Sequence, residues 1–396
     1  MKIFTKCKKC LIQSNHPYGI VLERDSICKS CVEQDKDDIF NIEILINSIK
    51  KQSKGRYDLL IPLKGNAEDF FVVETILQAG LNPICVFVNS YMNNEIAWMN
   101  VHTLIELYNL ELRTICPNIK TYKTLVRYSL RKNGDIFSPY KLLKYKKIME
   151  LASQLNINYI ISGENQVQKL SNKFTRQTYI ENTKWSVVEH DVKMRLSEYF
   201  GPSLELNKSK YFEYDARENL SKTDIRWLFL SDFMNWDQLH QDLDMNLKGA
   251  FGQIEETTFD YNHRAGSSVF YRLHDLLRYK KYRSIKASDQ LAREIRNNRI
   301  LINDAKILES LYLHRLLSKD SIHSCLDDFL KWMNLESGAV SWLLKHFLDL
   351  RSEYQEIDID KCEIVSNRIL NNIKYSLDSI KVPSKSFCKF EKGISL

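Results

Sequence analysis

Four of the nine cysteines lie in two Cys-x-x-Cys pairs near the N-terminus. Cys7 and Cys10 form the first pair, Cys28 and Cys31 form the second, and 17 residues separate the two pairs. Two such pairs supply four thiolates, the tetrahedral ligand set that zinc prefers, and a site closed by four sulfurs is structural. Two redox pairs, or four unrelated thiols in a reducing compartment, are the alternative. The spacing favours a structural zinc site.

A polar loop follows the first apolar run of strand length, residues 58–63. Its residues, in order, are Lys64, Gly65, Asn66, Ala67, Glu68 and Asp69. Parallel α/β sheets bind ligands beyond the carboxyl ends of their strands. This loop is therefore the first candidate ligand site of the chain.

The elements that would position this loop alternate between strands and helices. Apolar runs of strand length occur at residues 58–63, 83–88, 112–116 and 159–162, and helical spacing occurs at residues 67–79, 101–109, 122–132 and 139–154. Such alternation predicts parallel βαβ units and therefore an α/β protein with a doubly wound parallel sheet.

The pattern changes along the chain and divides it into four predicted parts. Residues 1–50 form the zinc knuckle and a linker helix, and residues 51–170 form the parallel α/β domain. Residues 171–268 are polar and irregular, and we expect them to complete the core and to contact substrate or a partner. Residues 269–396 have helical spacing and form a C-terminal helical region.

Composition limits the class of protein. The chain has 396 residues with 57 basic and 50 acidic side chains, a net charge of +7 and a mean hydropathy of -0.36. This excess is too small for a dedicated nucleic-acid binder.

No run approaches the roughly 18 apolar residues of a membrane span. Lysines occupy the place of a signal-peptide core, so we expect a cytoplasmic protein. The basic helix at residues 141–147 is interpreted as a solvated face, with phosphate binding as the alternative.

Several segments resemble, in register, a known family. They are residues 7–31 with both cysteine pairs, 57–70 with the polar loop, 160–165 ending in Gly-Glu-Asn, 229–237, and 274–296. Together they cover roughly residues 5–335. The chain resembles the bacterial N-acetyl sugar amidotransferases of the PP-loop ATP-pyrophosphatase superfamily, which act in lipopolysaccharide and pseudaminic-acid-type sugar biosynthesis. The resemblance implies the adenine-nucleotide-hydrolase-like sheet of that superfamily.

The resemblance also implies a reaction. Such enzymes use Mg-ATP to activate the carbonyl oxygen of a sugar N-acetyl group, and ammonia then displaces AMP to leave an acetamidino group. A separate glutaminase supplies the ammonia together with a cyclase-like partner. The resemblance assigns nucleotide binding to Lys64, Gly65, Asn66, Glu68, Asp69 and Gly163, catalysis to Glu68, Asp69 and Glu164, and substrate contacts to Asp232, Trp236, His274, Asp275, Lys286 and Asp289.

The loop departs from the family's SGGxDS motif. Lys64 and Asp69 replace its two serines, Asn66 replaces its second glycine, and Glu68 replaces its aspartate. Each lost hydroxyl contact removes about 1 kcal/mol. A second carboxylate where phosphates dock adds a like-charge repulsion of about 4 kcal/mol at 4 Å and an effective dielectric constant near 20. The sequence therefore predicts weak or absent ATP binding in the family's usual pose, although Lys64 could contact phosphate.

Two further departures lie outside the loop. Residues 137–140 read Phe-Ser-Pro-Tyr where the family carries a Cys-x-Pro-Cys-like segment, and no cysteine lies near residue 266. Gln290 stands where the family carries a histidine. A knuckle retained beside an altered catalytic site is typical of a paralogue kept for its fold.

Each remaining candidate residue has a structural alternative. Glu164 could cap the next helix, and Trp236 could anchor a loop rather than stack on a sugar. His274 and Asp275 are adjacent on a helix and so point in different directions. Asp289 lies within two turns of Glu294 and Arg296, where a structural ion-pair network is the alternative to substrate binding.

Three functions are consistent with these features. The first is a divergent, working amidotransferase, and the second is a non-catalytic homologue that binds the glutaminase pair or an active paralogue as an assembly subunit. The third is an RNA-modifying PP-loop protein, which the modest charge disfavours and which would bind RNA with strong salt dependence. The sequence leaves the oligomeric state open.

Overall fold

The computed structural model describes residues 4–33, 41–53, 55–171, 224–247 and 268–335, together with residues 338, 357–362, 364, 365 and 368. Most of the segment predicted to be irregular, residues 171–268, lies outside the described residues, as does most of the predicted helical region beyond residue 335. The four-part division of the chain stays a prediction. No helix in the described ranges is both long and apolar enough to cross a membrane.

A parallel sheet forms the centre of the described structure. Its strands are β1 (Leu59–Leu63), β2 (Pro83–Val88), β3 (Leu112–Ile115), β4 (Tyr159–Ser162) and β5 (Arg226–Phe229). They pair in parallel in the order β3-β2-β1-β4-β5. The four strands expected from the sequence are confirmed.

The fifth strand corrects the sequence analysis, which placed no strand in residues 171–268. β5 is only four residues long and pairs with β4 along its whole length, from Tyr159 opposite Arg226 to Ser162 opposite Phe229. A run this short carries no recognisable alternation by itself. Pairing with a neighbouring strand, rather than local pattern, makes it a strand.

Helices surround the sheet. They are α1 (Lys29–Val32), α2 (Ile42–Gln52), α3 (Ala67–Gln78), α4 (Glu95–Tyr108), α5 (Ile119–Asn133), α6 (Ser138–Gln154), α7 (Gln166–Ser171), α8 (Gln238–Leu247), α9 (Tyr271–Tyr282), α10 (Lys286–Arg296), α11 (Ile302–Leu317) and α12 (Lys319–Met333). α4 begins six residues before its predicted start, because the side chain of Asn94 caps it by accepting a hydrogen bond from the N–H of Ala97.

The two faces of the sheet are covered by different helices. Successive side chains of a strand point to opposite faces, so Leu60 packs on one side of β1 while Leu59 and Ile61 pack on the other. The Leu60 face contacts the knuckle, α5, α6 and α9–α12. The opposite face contacts α2, α3, α4 and α8. Burial on both faces explains the continuous apolar runs of β1 and β2, and it confirms the predicted doubly wound α/β fold.

Candidate functional site

The four paired cysteines converge on one buried cluster. Their sulfur atoms all lie within 4.8 Å of one another, and the sulfurs of Cys10 and Cys28 are 3.6 Å apart. Tetrahedral zinc with bonds of about 2.3 Å places its sulfurs about 3.8 Å apart, whereas a disulfide requires about 2 Å. The cluster is therefore compatible with structural zinc. It is the one such group of potential metal ligands among the described residues.

An arginine distant in sequence offsets the charge of the cysteine cluster. Lys8 and Lys9 lie between Cys7 and Cys10, but both are exposed. Arg296, the last residue of α10, donates instead to the sulfurs of Cys10 at 3.3 Å and Cys28 at 3.5 Å. Arginine close to thiolates offsets their negative charge. The compensating cation therefore comes from a helix far along the chain.

The polar loop connects β1 to α3 in a conformation that requires glycine at one position. Gly65 has a φ of +83°, and a Cβ there would overlap the main chain of Ala97. The side chain of Asn100 donates to the Gly65 carbonyl at 3.1 Å and holds the turn. Backbone N–H groups of the loop consequently point toward the start of α3.

Those N–H groups converge on the chain's own carboxylate. One oxygen of Asp69 accepts hydrogen bonds from the N–H groups of Lys64 at 2.5 Å, Gly65 at 2.6 Å and Asn66 at 3.4 Å. Successive N–H groups that face one point form a concave anion-binding site. Here Asp69, which is 4% exposed, occupies that site.

Glu68 is held in a similar way. It forms an ion pair with the ammonium group of Lys64 and accepts from the N–H of Glu164 at 3.0 Å and the side chain of Asn66 at 3.3 Å. A Cβ at Gly163 would lie 2.5 Å from its Oε2 atom, so any other residue there would displace the Glu68 side chain. Glu68 thus ties the loop after β1 to the loop after β4.

The two carboxylates differ in how readily they ionise. Burial raises the pKa of Asp69 to about 6, although Lys64 and the loop N–H groups oppose that rise. Burial also acts on Glu68, but there the ion pair with Lys64 and the hydrogen bond from Glu164 outweigh it and lower the pKa. The neighbouring carboxylates outweigh desolvation at Lys64 and raise its pKa. Lys64 and Glu68 are therefore a charged pair.

Glu164 lies beside this pair and joins it to α10. Arg293 donates to Glu164 at 2.8 Å, and Gln238 donates to the same oxygen at 2.9 Å. Burial raises the pKa of Glu164 despite Arg293. Glu164 therefore connects the loop after β4 to α8 through Gln238 and to α10 through Arg293.

A cleft of about 240 Å³ lies beyond the carboxyl ends of β1 and β2. Cationic, amide, hydroxyl and aromatic side chains and one carboxylate line it; they are Lys64, Asn66, Ser90, Asn93, Phe137, Tyr140, Gln166, Ser268, Tyr271, His274, Lys286, Asp289, Gln290 and Arg293. Its position agrees with the general rule for parallel α/β sheets. The cleft can therefore accept a polar, anionic ligand with an apolar ring face.

Five of the residues predicted from the sequence line this cleft: Lys64, Asn66, His274, Lys286 and Asp289. Burial and nearby cations lower the pKa of His274 to about 3, so its imidazole is neutral. Its ring contacts Phe137 edge-on, with centroids 4.7 Å apart. A neutral imidazole here is suited to hydrogen bonding with a ligand rather than to ion pairing.

The remaining predicted residues do not line the cleft. Gly65, Glu68, Asp69, Gly163 and Glu164 form the network described above, and Asp275 accepts from the N–H of Lys286 at 2.7 Å. Asp232 is 3% exposed, and Trp236 packs edge-on against Phe71. The contact of Trp236 is the one expected of a loop anchor. Substrate contact by these residues stays a prediction.

The predicted ion-pair network around Asp289 exists but has other partners. Arg278 donates to Asp289 at 2.7 Å, and His16 lies 2.9 Å from it. Glu294 pairs instead with Arg299, which also pairs with Asp237. The Asp289 carboxylate lines the cleft but is already in contact with Arg278 and His16.

His16, Arg293 and Tyr271 were not predicted from the sequence, and Tyr140 was not predicted as a site residue. His16 lies between the two cysteine pairs and is 3% exposed. Arg293 precedes Arg296 by one helical turn, a spacing that places both on one face of α10. That spacing was the available signal. The signal for Tyr140 was its place in residues 137–140, which depart from the Cys-x-Pro-Cys-like segment of the family that the sequence resembles.

No family model matches the chain, and no curated protein matches it. Several solved structures are similar to parts of it, and two of them are synthetases. The NMN synthetase of Francisella tularensis has 17% identity and a TM-score of 0.28, covering 56% of this chain and 88% of its own. An NH3-dependent NAD synthetase of Campylobacter jejuni subsp. jejuni has 14% identity and a TM-score of 0.27, covering 52% of this chain and 81% of its own. The assignment of the fold rests on the sheet and helices described above.

Proposed function

We propose that this chain is a relative of the N-acetyl sugar amidotransferases that binds a sugar ligand in the cleft without turning over ATP, and that it acts as a binding or assembly subunit. One observation carries the proposal. The carboxylate of Asp69 accepts the N–H groups of Lys64, Gly65 and Asn66. In an SGGxDS loop, those N–H groups are the donors that face phosphate.

The cost of replacing this carboxylate by phosphate is large. A phosphate near Asp69 and Glu68 meets like charge, and one such pair at 4 Å costs about 4 kcal/mol at an effective dielectric constant near 20, or close to a thousandfold in affinity. Lys64 offsets part of that repulsion, but its ammonium group is already paired with Glu68. Mg-ATP is therefore expected to bind poorly in the usual pose.

The cleft itself supports a sugar ligand that carries an anionic group. Tyr140 and Tyr271 offer ring faces for the C–H face of a sugar, and Asn66, Gln166 and Gln290 offer amides for hydroxyl and N-acetyl groups. Three cationic side chains line the same space: Lys64 from the loop after β1, and Lys286 and Arg293 from α10. A phosphate-linked N-acetyl sugar satisfies all three kinds of lining group.

Calorimetric titration of the zinc-loaded protein with Mg-ATP tests the loss of the nucleotide site. The natural protein is expected to give no heat of binding at micromolar concentration. The variant Lys64→Ser/Asn66→Gly/Glu68→Asp/Asp69→Ser restores the motif and is expected to bind. A matched variant, Lys64→Ser/Asn66→Gly, keeps both carboxylates and is expected to behave like the natural protein. Zinc content and the unfolding temperature show whether each variant is folded.

A working amidotransferase is the second candidate, and two observations favour it. Lys64 keeps a side chain that is 42% exposed at the cleft. Asp69, with a pKa raised to about 6, loses its charge under mildly acidic conditions. Micromolar binding of Mg-ATP by the natural protein would refute the proposed loss and make turnover the leading function, with ammonia supplied by a glutaminase and its cyclase-like partner.

Partners follow from the same proposal. A subunit that binds sugar without turnover requires an active enzyme beside it, so the expected partners are the glutaminase pair or a paralogue with an intact SGGxDS loop. Size-exclusion chromatography of the co-expressed proteins tests this expectation. Elution of each protein at its own separate volume would contradict the assembly role.

A further inference from the structure

Arg296 joins three separate elements of the molecule. From the end of α10 it donates through Nη2 to the sulfurs of Cys10 and Cys28. Through Nη1 it donates to the main-chain carbonyl of Lys169 on α7, at 3.0 Å. The knuckle, α7 and α10 are thus linked through one guanidinium group. α7 and α10 both carry residues that line the cleft.

The knuckle also contacts the cleft's own residues. His16, between the cysteine pairs, lies 2.9 Å from Asp289, which lines the cleft. The hydroxyl of Tyr18 donates to Gln166, another lining residue, at 3.0 Å. Ser30 donates to the carbonyl of Leu170 at 2.9 Å. These contacts make the knuckle a support for one wall of the cleft.

We propose that Arg296 is a positioning residue through which the metal-loaded knuckle holds α7 and α10 against the cleft. Four thiolates around one zinc ion carry net negative charge, and arginine N–H groups donate strongly to such sulfurs. Because the same guanidinium also holds the main-chain carbonyl of Lys169, Arg296 ties α7 and α10 to the cysteine cluster.

The geometry on α10 connects this contact to the polar loop. Arg293 lies one turn before Arg296 and donates to Glu164, whose N–H group donates to Glu68. A shift of α10 would move Arg293 and the cleft residues Asp289 and Gln290 together, because they share one helix. The knuckle is consequently coupled to the loop without contacting it.

Hydrogen–deuterium exchange tests the proposal without any ligand, so its outcome is independent of the proposed function. The metal-loaded natural protein is compared with Arg296→Met, with the conservative Arg296→Lys, and with Arg131→Met, which alters an exposed arginine of α5. We expect about tenfold faster exchange in α7 and the second half of α10 for Arg296→Met, the scale of one lost charge-assisted hydrogen bond. Arg296→Lys should restore part of the protection, and Arg131→Met should match the natural protein.

Cobalt replaces zinc in a second measurement that separates positioning from simple loss of the knuckle. Arg296→Met loaded with Co²⁺ should keep the absorption pattern of four thiolates, with the sulfur-to-metal band shifted because two sulfurs lose a donor. If α7 and α10 exchange as slowly in metal-loaded Arg296→Met as in the natural protein, the proposal is overturned. Loss of the four-thiolate spectrum in Arg296→Met would also overturn it, because Arg296 would then build the metal site rather than position the two helices.

Discussion

Replacing Asp69 by asparagine should change how the protein's stability depends on pH. Asp69 is buried, and its pKa is raised to about 6 from a usual value of 3.8. An amide oxygen can still accept the three N–H bonds of the loop, but the amide does not titrate. The variant therefore removes the charge and leaves the loop conformation.

The sign and size of the effect follow from linkage. Between pH 3.8 and about 6 the folded state holds a proton on Asp69 that the unfolded state has lost, so the free energy of unfolding falls as pH rises. The full difference is on the order of 3 kcal/mol, of which about 1.4 kcal/mol falls between about pH 5 and pH 7.5. Asp69→Asn should lack this loss. Between about pH 5 and pH 7.5, its free energy of unfolding should therefore rise by about 1.4 kcal/mol relative to that of the natural protein.

Urea unfolding of both zinc-loaded proteins across this pH range measures the difference, and other titrating groups cancel in the comparison. A difference that is independent of pH would refute the reasoning, since it would mean that the loop N–H groups fully offset burial at Asp69. A difference of opposite sign would mean that they more than offset it.

Three further predictions concern Glu68, Gly163 and the cysteine cluster. Glu68→Gln should show the opposite pH trend, because its pKa is lowered in the fold and its contribution to stability is lost as pH falls; urea unfolding at several pH values checks this. Gly163→Ala should lower the free energy of unfolding by about 1–3 kcal/mol, because its Cβ would lie 2.5 Å from Glu68 Oε2. The double variant Gly163→Ala/Glu68→Ala should lose less free energy of unfolding than the two single variants together, as urea unfolding would measure. Cys28→Ser should lose bound zinc and lower the unfolding temperature, whereas Cys116→Ser, at an exposed cysteine, should change neither; metal analysis and thermal unfolding decide.

The parts of the fold that the sequence predicted depend on local pattern. The cysteine pairs are close in sequence, and β1 and β2 are continuous apolar runs because both of their faces are buried. β5 was not predicted, because its four residues become a strand through pairing with β4. The spacing of cysteines and the apolar run of a buried strand can be recognised within one segment of the sequence. The pairing of two strands depends on two segments and cannot be recognised in either one alone.

The site was predicted less completely for the same reason. The sequence places Asp69 in the polar loop after β1, but the convergence of three N–H groups on its carboxylate depends on the turn at Gly65. The contact of Arg296 with the sulfurs of Cys10 and Cys28 spans more than half of the chain. No periodic pattern records contacts between residues so far apart.

The proposed loss of phosphate binding at the loop has two physical explanations, charge repulsion by Asp69 and occupancy of the loop N–H groups, and substitutions at Asp69 distinguish them. Asp69→Asn removes the charge but keeps an oxygen on the N–H groups of Lys64 and Gly65, whereas Asp69→Ser removes both the charge and the long side chain. If repulsion blocks Mg-ATP, both variants should gain affinity; if the side chain blocks it by occupying the N–H groups, only Asp69→Ser should. Serine leaves those N–H groups without an internal acceptor in the free protein. The like-charge repulsion at Asp69 predicts a gain in affinity for Mg-ATP in both variants. We expect the larger gain in Asp69→Ser, together with a loss of stability, and we expect Asp69→Asn to gain stability at neutral pH. Calorimetry and urea unfolding of the two variants measure both quantities, and equal gains in affinity would show that repulsion alone closes the site.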